Sequence, residues 1–350
     1  MKRYTLLFST FTKLALVPVL ACAFSTPSSA QDLKVLVHNS FSLPKPLLAK
    51  FELDAGVKLS IVKAGDAGEM LNKLILTRAQ PLGDVVYGID NTLIAKAQAA
   101  GVLDAYPTAV TSLTQQRAGS IGLGASATAI GYSYVTLNYD KASFAKSGLA
   151  LPKTLEDLTQ PAYRNLLVVQ NPATSSPGHA FMLATIAGMG ETAAFDWWAR
   201  MRTNGVKVAK GWSDAYYTEF SRNGGKHPLV VSYVTSPAAE VFYSKEKVVE
   251  PPTGSLFLKG GVFQQIEGVA LVKGGGQREA AIKFIEFMRS GAVQDALQTS
   301  MWMFPVDPGV VRTEVMRHAP EPASYDSLSH DVILARSSDW VSRWTRVVLK

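Results

Sequence analysis

The sequence runs to 350 residues, 47% of them hydrophobic and 18% charged, which describes an ordinary globular interior and excludes disordered, collagenous and coiled-coil chains. A formal net charge of +7 and a single cysteine leave no room for a disulfide framework or a cysteine-based zinc site. The chain has no GxxxxGKS or GxxxxGKT loop, no HExxH and no GxSxG, so the common phosphate-loop, zinc-protease and serine-hydrolase signatures are missing.

Residues 1–30 read as a secretory leader: Lys2, Arg3 and Lys13 precede an apolar run from Leu14 to Phe24, and a small-residue tail places cleavage after Ala30. The run is shorter than the ~20 apolar residues a spanning helix needs, and no later segment is long and apolar enough to span. An alternative takes Val19-Leu20-Ala21-Cys22 as a lipidation box with Cys22 as the anchor. The leader carries three of the 35 Lys and Arg and none of the 28 Asp and Glu, leaving 32 basic against 28 acidic residues, a net of +4. The basic residues are scattered rather than massed on one face, so nucleic acid is not an expected partner.

Beyond the leader, strand-like and helix-like stretches alternate. Leu33 to Val37 predicts a strand that runs into His38-Asn39-Ser40-Phe41. Pro44 to Phe51 follows as a helix and Val57 to Val62 as a second strand. Met70, Leu71, Leu74 and Ile75 recur at helical spacing, and Asp84 to Gly88 forms a third strand ending at Asp90-Asn91. This βαβαβ opening predicts a parallel sheet whose ligands sit at the carboxyl ends of strands. His38 to Phe41, Asp66 and Asp90 fall at such ends. A second unit begins near Ala127, with strands at Ile130–Leu137, Leu167–Gln170 and Leu229–Tyr233 and a helix from Thr192 to Arg202 carrying Trp197 and Trp198. Gly268 to Lys273 returns as a strand, and the helix Arg278–Arg289 stops at Ser290-Gly291. The last helix, Asp331 to Val348, aligns Ile333, Leu334, Trp340, Trp344 and Val347. Two α/β lobes with a cleft between them is the architecture expected, with 31–128 and 260–303 in the first lobe and 129–259 and 304–350 in the second.

Two places share one design. Thr174-Ser175-Ser176-Pro177-Gly178 and Tyr233-Val234-Thr235-Ser236-Pro237 each follow a strand and precede a helix, with Ser as N-cap and Pro at the first helical position. Such helix starts offer free backbone N–H groups to phosphate or carboxylate, or serve only as caps. Trp212, beside Gly211, and Trp302, in Met301-Trp302-Met303-Phe304-Pro305, stand outside any regular pattern, and aromatic faces stack on flat heterocycles and attract cations. Trp197, Trp198, Trp340 and Trp344 sit at helical positions suited to packing. The five His residues, 38, 179, 227, 318 and 330, include no pair at metal-ligand spacing. Adjacent Tyr216 and Tyr217 can hold ferric iron together with His38 and Asp66 or Glu69, or one can pack while the other is solvated. Ser175 with His179 is the remaining nucleophile–base candidate.

Lys210-Gly-Trp-Ser-Asp-Ala-Tyr216, Val231-Ser-Tyr-Val-Thr-Ser-Pro237, Thr174-Ser-Ser-Pro-Gly178 and Trp302-Met-Phe-Pro-Val306, with Val85-Val-Tyr-Gly-Ile-Asp-Asn91 and Met70-Leu-Asn-Lys-Leu74, resemble the thiamine-binding branch of the periplasmic binding proteins that serve bacterial ABC importers. The resemblance covers nearly the whole chain after the leader. It implies a two-lobed α/β fold of type II, a periplasmic location and a carrier rather than an enzyme. The expected partners are thiamine or its phosphates and the permease and ATPase of an ABC importer, with no cofactor, no metal and a monomeric chain. By position, the ligand contacts it implies fall on Asp66, Ala67, Ser175, Ser176, Trp212, Tyr233, Val234, Thr235 and Ser236, with Trp302 as a further aromatic wall. The chain departs from the pattern at His38-Asn39, where the family tends to show Tyr-Asp, and at Ala67, where it shows Gly. His38 therefore joins the site candidates. The first rival is a ferric-iron binder using His38, Tyr216 and Tyr217. A secreted hydrolase is the second.

Overall fold

The computed structural model describes Met1, residues 31–106 and residues 123–350. The expected leader and Cys22 lie outside the described residues. Three parallel strands open the fold: β1 (Gln31–Val37), β2 (Val57–Lys63) and β3 (Val85–Asp90), with Val35 opposite both Ile61 and Val85. Helices α1 (Lys45–Ala55) and α2 (Ala67–Leu76) make the connections, as the alternation predicts. Short α3 (Ile94–Ala99) and β4 (Leu103–Asp104) follow. The second half contains β5 (Thr128–Asp140), α4 (Lys141–Ser147), β6 (Leu167–Gln170), α5 (Ser176–Met189), α6 (Glu191–Thr203), β7 (Lys207–Ala209), β8 (Leu229–Tyr233) and α7 (Ser236–Phe242). The chain closes with β9 (Thr253–Leu256), β10 (Phe263–Val272), α8 (Arg278–Arg289), α9 (Gly291–Ser300), β11 (Phe304–Pro305) and α10 (His330–Leu349).

The strands join in the order β2-β1-β3-β10-β5-β8-β6-β7. Each end of this order is a parallel triplet, β2-β1-β3 and β8-β6-β7. Between them run β10 and β5, antiparallel to each other and to the triplet each one flanks. The fold is thus two α/β lobes joined by two long strands that belong to both. Leu36, Met70, Leu71, Leu74 and Ile94 pack on one face of the first triplet, and Leu33, Val35, Phe284, Ile285 and Leu297 on the other. In the second lobe α5 is buried from Ser176 through Ile186, wrapped by Trp197, Trp198, Trp340 and Trp344. The four helical tryptophans pack, as their spacing implies.

Three expectations change. The strand expected from Gly268 begins at Phe263, so five polar and mixed residues before it are also strand. The helix ending at Arg289 is followed at once by α9, from Gly291. Leu334 is exposed, because α10 turns Ile333, Trp340, Trp344 and Val348 inward and the neighbouring position faces outward.

Candidate functional site

A cavity of about 490 Å³ opens where the carboxyl ends of the first lobe's strands meet the second lobe, a volume in the range of small-molecule sites. The end of β1 contributes His38, and the start of α2 contributes Asp66 and Ala67. From the second lobe come Ser176, the turn carrying Trp212, Tyr216 and Tyr217, the end of β8 with Tyr233, and Thr235, Ser236 and Glu240 around α7. Glu267 of β10 and the segment Met301–Met303 complete the wall.

Asp66 is the N-cap of α2, and its carboxylate reaches across to the second lobe. Oδ2 accepts from Ser175 Oγ at 2.9 Å and from the Trp212 backbone N–H at 2.7 Å. Among the described residues no Lys, Arg or His forms an ion pair with it; Lys73 and Lys210 pair with Glu69 instead, at 3.1 and 3.0 Å. The helix starts differ from expectation. The caps are Ser175 for α5 and Thr235 for α7, one residue earlier than the Ser-Pro pattern implies, and neither side chain makes a capping hydrogen bond. Ser175 Oγ is drawn to Asp66, Ser176 Oγ accepts from Gln265 Nε2 at 2.8 Å, and Ser236 Oγ lies 2.8 Å from Ser232 Oγ.

Trp212 opens a single helical turn rather than a loop. Its ring is stacked on Tyr216 with centroids 5.0 Å apart and 17° between planes, and its Nε1 donates to Ser232 Oγ at 2.8 Å. Tyr217 stands edge-on to both rings, and Tyr233 lies 6.4 Å from the indole. These partners fix the plane of Trp212, which is what a stacking surface requires. At the opposite wall Trp302 has φ +57°, a left-handed conformation that costs a bulky residue about 1–2 kcal/mol. Such strain concentrates at ligand clamps. Its ring meets Phe242 and Tyr243 at 5.4 and 5.6 Å.

The cavity floor is acidic. His38 Nε2 lies 3.6 Å from Glu267 Oε2, and Asp90 is buried behind, its Oδ1 accepting from the N–H groups of Thr92 and Leu93 and its Oδ2 from Gln265. Burial works against a charged His38, but the carboxylates of Glu267, Asp66 and Asp90 outweigh it and raise the imidazole's pKa. Burial likewise opposes the Glu267 carboxylate, and His38 more than compensates, so its pKa falls. Burial pushes the Asp90 carboxyl up to about 6. The Tyr216 phenol donates to Glu240 Oε1 at 2.9 Å, and burial followed by that carboxylate pushes it well above the usual range. Tyr217 is also raised, chiefly by burial.

Of the residues expected in the site, His38, Asp66, Ala67, Ser176, Trp212, Tyr233, Thr235, Ser236 and Trp302 line the cavity, as do Tyr216 and Tyr217. Ser175 and Val234 stand behind it: both are fully buried, Ser175 bonded to Asp66 and Val234 packed in the apolar interior. His179 does not meet Ser175 through its ring. It pairs with Ser337 Oγ of α10 at 2.7 Å, away from the cavity. Sequence reasoning missed Glu240 and Glu267. Glu240 carries a readable signal, one turn after Ser236 on the helix that the Ser-Pro pair opens. Glu267 carries none, because it precedes the apolar run that marks its strand.

The fold and the sequence are both similar to those of known proteins. The family model described as bacterial extracellular solute-binding protein matches residues 80–336. The chain is 29% identical over 337 residues to the thiamine-binding periplasmic protein of Salmonella typhimurium, covering 94% of this chain and 97% of that one. A solved periplasmic thiamin binding protein is similar with a TM-score of 0.79 at 28% identity, over 95% of this chain and 99% of the other. Iron uptake protein A1 of Synechocystis is more distant, 21% identical over 81% of this chain and 78% of its own length.

Proposed function

The chain belongs to the bacterial extracellular solute-binding proteins, and from that membership we propose that it captures thiamine or a thiamine phosphate in the periplasm and delivers it to the permease and ATPase of an ABC importer. On this reading it is a carrier and transforms nothing, its leader is residues 1–30, and its lobes are 31–128 with 260–303 and 129–259 with 304–350. The observation that carries the ligand assignment is the charge of the cleft. Among the lining residues there are three carboxylates, one His and no Lys or Arg. Glu267 is offset by His38 and Glu240 by Arg222, whose Nε lies 3.3 Å from it, while Asp66, beside Trp212, has no ion-pair partner among the described residues. One permanent cation on a flat ring, the thiazolium of thiamine, matches one free carboxylate beside aromatic faces. The hydroxyethyl or phosphate end suits the hydroxyls of Ser176, Thr235 and Ser236 at the helix starts. Binding would draw the lobes together about β5 and β10 by hinge closure.

Calorimetric titration of the ligand-stripped protein with thiamine tests this. We expect one-to-one binding that weakens by about 10-fold or more in Trp212→Ala, equivalent to ~1.4 kcal/mol. No binding of thiamine or its phosphates, together with a coloured complex on addition of ferric ion, would overturn it in favour of the tyrosine pair.

A further inference from the structure

Among the cavity-lining residues described, two buried side-chain atoms lack a hydrogen-bond partner, His38 Nε2 and Glu267 Oε2. Both residues are more than nine-tenths buried, at 8% and 6% exposure. Their 3.6 Å separation is longer than a hydrogen bond, so neither atom satisfies the other, and an unsatisfied buried polar atom costs about 1–3 kcal/mol. The other acids nearby are committed: Asp90 to Thr92, Leu93 and Gln265, and Asp66 to Ser175 and Trp212.

The backbone has been shaped to hold the pair. Glu267 sits where β10, already paired with β5 along one edge, begins its pairing with β3 along the other, with register shifts on either side of Gly268. Such bulges turn a side chain away from the regular alternation. His38 lies against Gly88, where φ is +103° and an added Cβ would stand 2.4 Å from the imidazole Cδ2. Tyr87 flanks the imidazole with ring centroids 5.8 Å apart. The carboxylates around His38 raise its pKa and His38 lowers that of Glu267, which favours a donor at Nε2 beside an acceptor at Oε2.

We propose that His38 and Glu267 form a two-point subsite for the edge of an aminopyrimidine, His38 Nε2–H donating to a ring nitrogen and Glu267 Oε2 accepting from the adjacent exocyclic amino group. The assignment rests on the thiamine reading, since that ligand joins such a ring to its thiazolium. It deepens that reading by naming the residues that tell the pyrimidine from its look-alikes. A neutral amino group beside an unprotonated ring nitrogen presents donor and acceptor in the order this pair requires. A carbonyl beside a ring N–H presents them reversed.

Oxythiamine, in which a carbonyl replaces the exocyclic amino group, is therefore the probe. Titrating the full-length protein with both ligands should give an affinity for thiamine about 10-fold or more above that for oxythiamine, because a site built for one hydrogen-bond pattern rejects its inverse. In Glu267→Gln, whose amide can donate to a carbonyl, the preference should shrink or reverse. His38→Phe should weaken thiamine by about 10-fold or more. Equal wild-type affinities, or a Glu267→Gln variant that weakens both ligands by the same factor, would overturn the subsite while leaving thiamine as the ligand. Failure of thiamine itself to bind the wild type would overturn the ligand reading and the subsite together.

Discussion

Asp66 shows how much one side chain can organise. It caps α2, accepts from Ser175 Oγ and the Trp212 N–H across the cleft, and forms no ion pair among the described residues. Asp66→Asn keeps one carbonyl oxygen as an acceptor while removing the charge and the second acceptor oxygen. We expect the affinity for thiamine to fall by about 10-fold or more, with less loss at high salt because the lost attraction was already screened. Titration at two ionic strengths checks this, and unchanged affinity would remove Asp66 from cation recognition. Asp66 was legible in the sequence because an Asp between a strand end and a helical apolar pattern marks both a cap and a cleft position. Glu267 was not. Its placement depends on a register shift between two strand partners, and register is a property of the assembled sheet, not of the local run of residues.

At the scale of elements, α5 is the member whose placement the site depends on most. It is buried on every side along its first eleven residues, so its apolar face cannot be read from helical periodicity, and only the Ser-Pro-Gly start identifies it. Gly178 is needed there for contact rather than for backbone freedom: a Cβ would stand 2.5 Å from the carbonyl oxygen of Gln170 at the end of β6. Gly178→Ala should push α5 off that strand and destabilise the protein by ~1–3 kcal/mol, a loss of several degrees in thermal unfolding. An unchanged melting temperature would mean the helix start has slack. The caps were misjudged by one residue for a related reason. Isolated Ser-Pro pairs are read as caps because the hydroxyl serves the helix, whereas here Asp66 and Gln265 compete for Ser175 and Ser176 and win.

Over the whole molecule, two buried groups titrate with opposite signs. Asp90 is pushed up to about 6 from an ordinary 3.8, so its contribution to stability is present at low pH and is lost as pH rises through 6. His179 is pushed down to about 4 from 6.5, by burial and then by Lys96. Its contribution is present above 6.5 and is lost as pH falls toward 4. The two largely offset each other across that window. His179→Gln removes one side of the balance, and its stability relative to wild type should rise by about 2 kcal/mol between pH 7 and pH 5, measured by denaturant unfolding at each pH. Parallel pH profiles for the two proteins would refute it. The α/β alternation and the carboxyl-end location of the cleft were legible from periodicity and turn residues. That the two lobes share β5 and β10 was not, because long-range antiparallel pairing leaves no mark on local sequence.

The partners of Asp66 lie on the far lobe, and this shapes how a cation could leave. On the proposed hinge motion, parting of the lobes would withdraw Ser175 and Trp212 from the carboxylate and let water take their place. The attraction between carboxylate and cation scales inversely with the dielectric constant around them, so moving from an effective value of ~20 to that of water, ~80, cuts it about fourfold. Hydration of one carboxylate would thus loosen the cargo without a competing ion or an incoming side chain. The motion that opens the door also lets go of what is held.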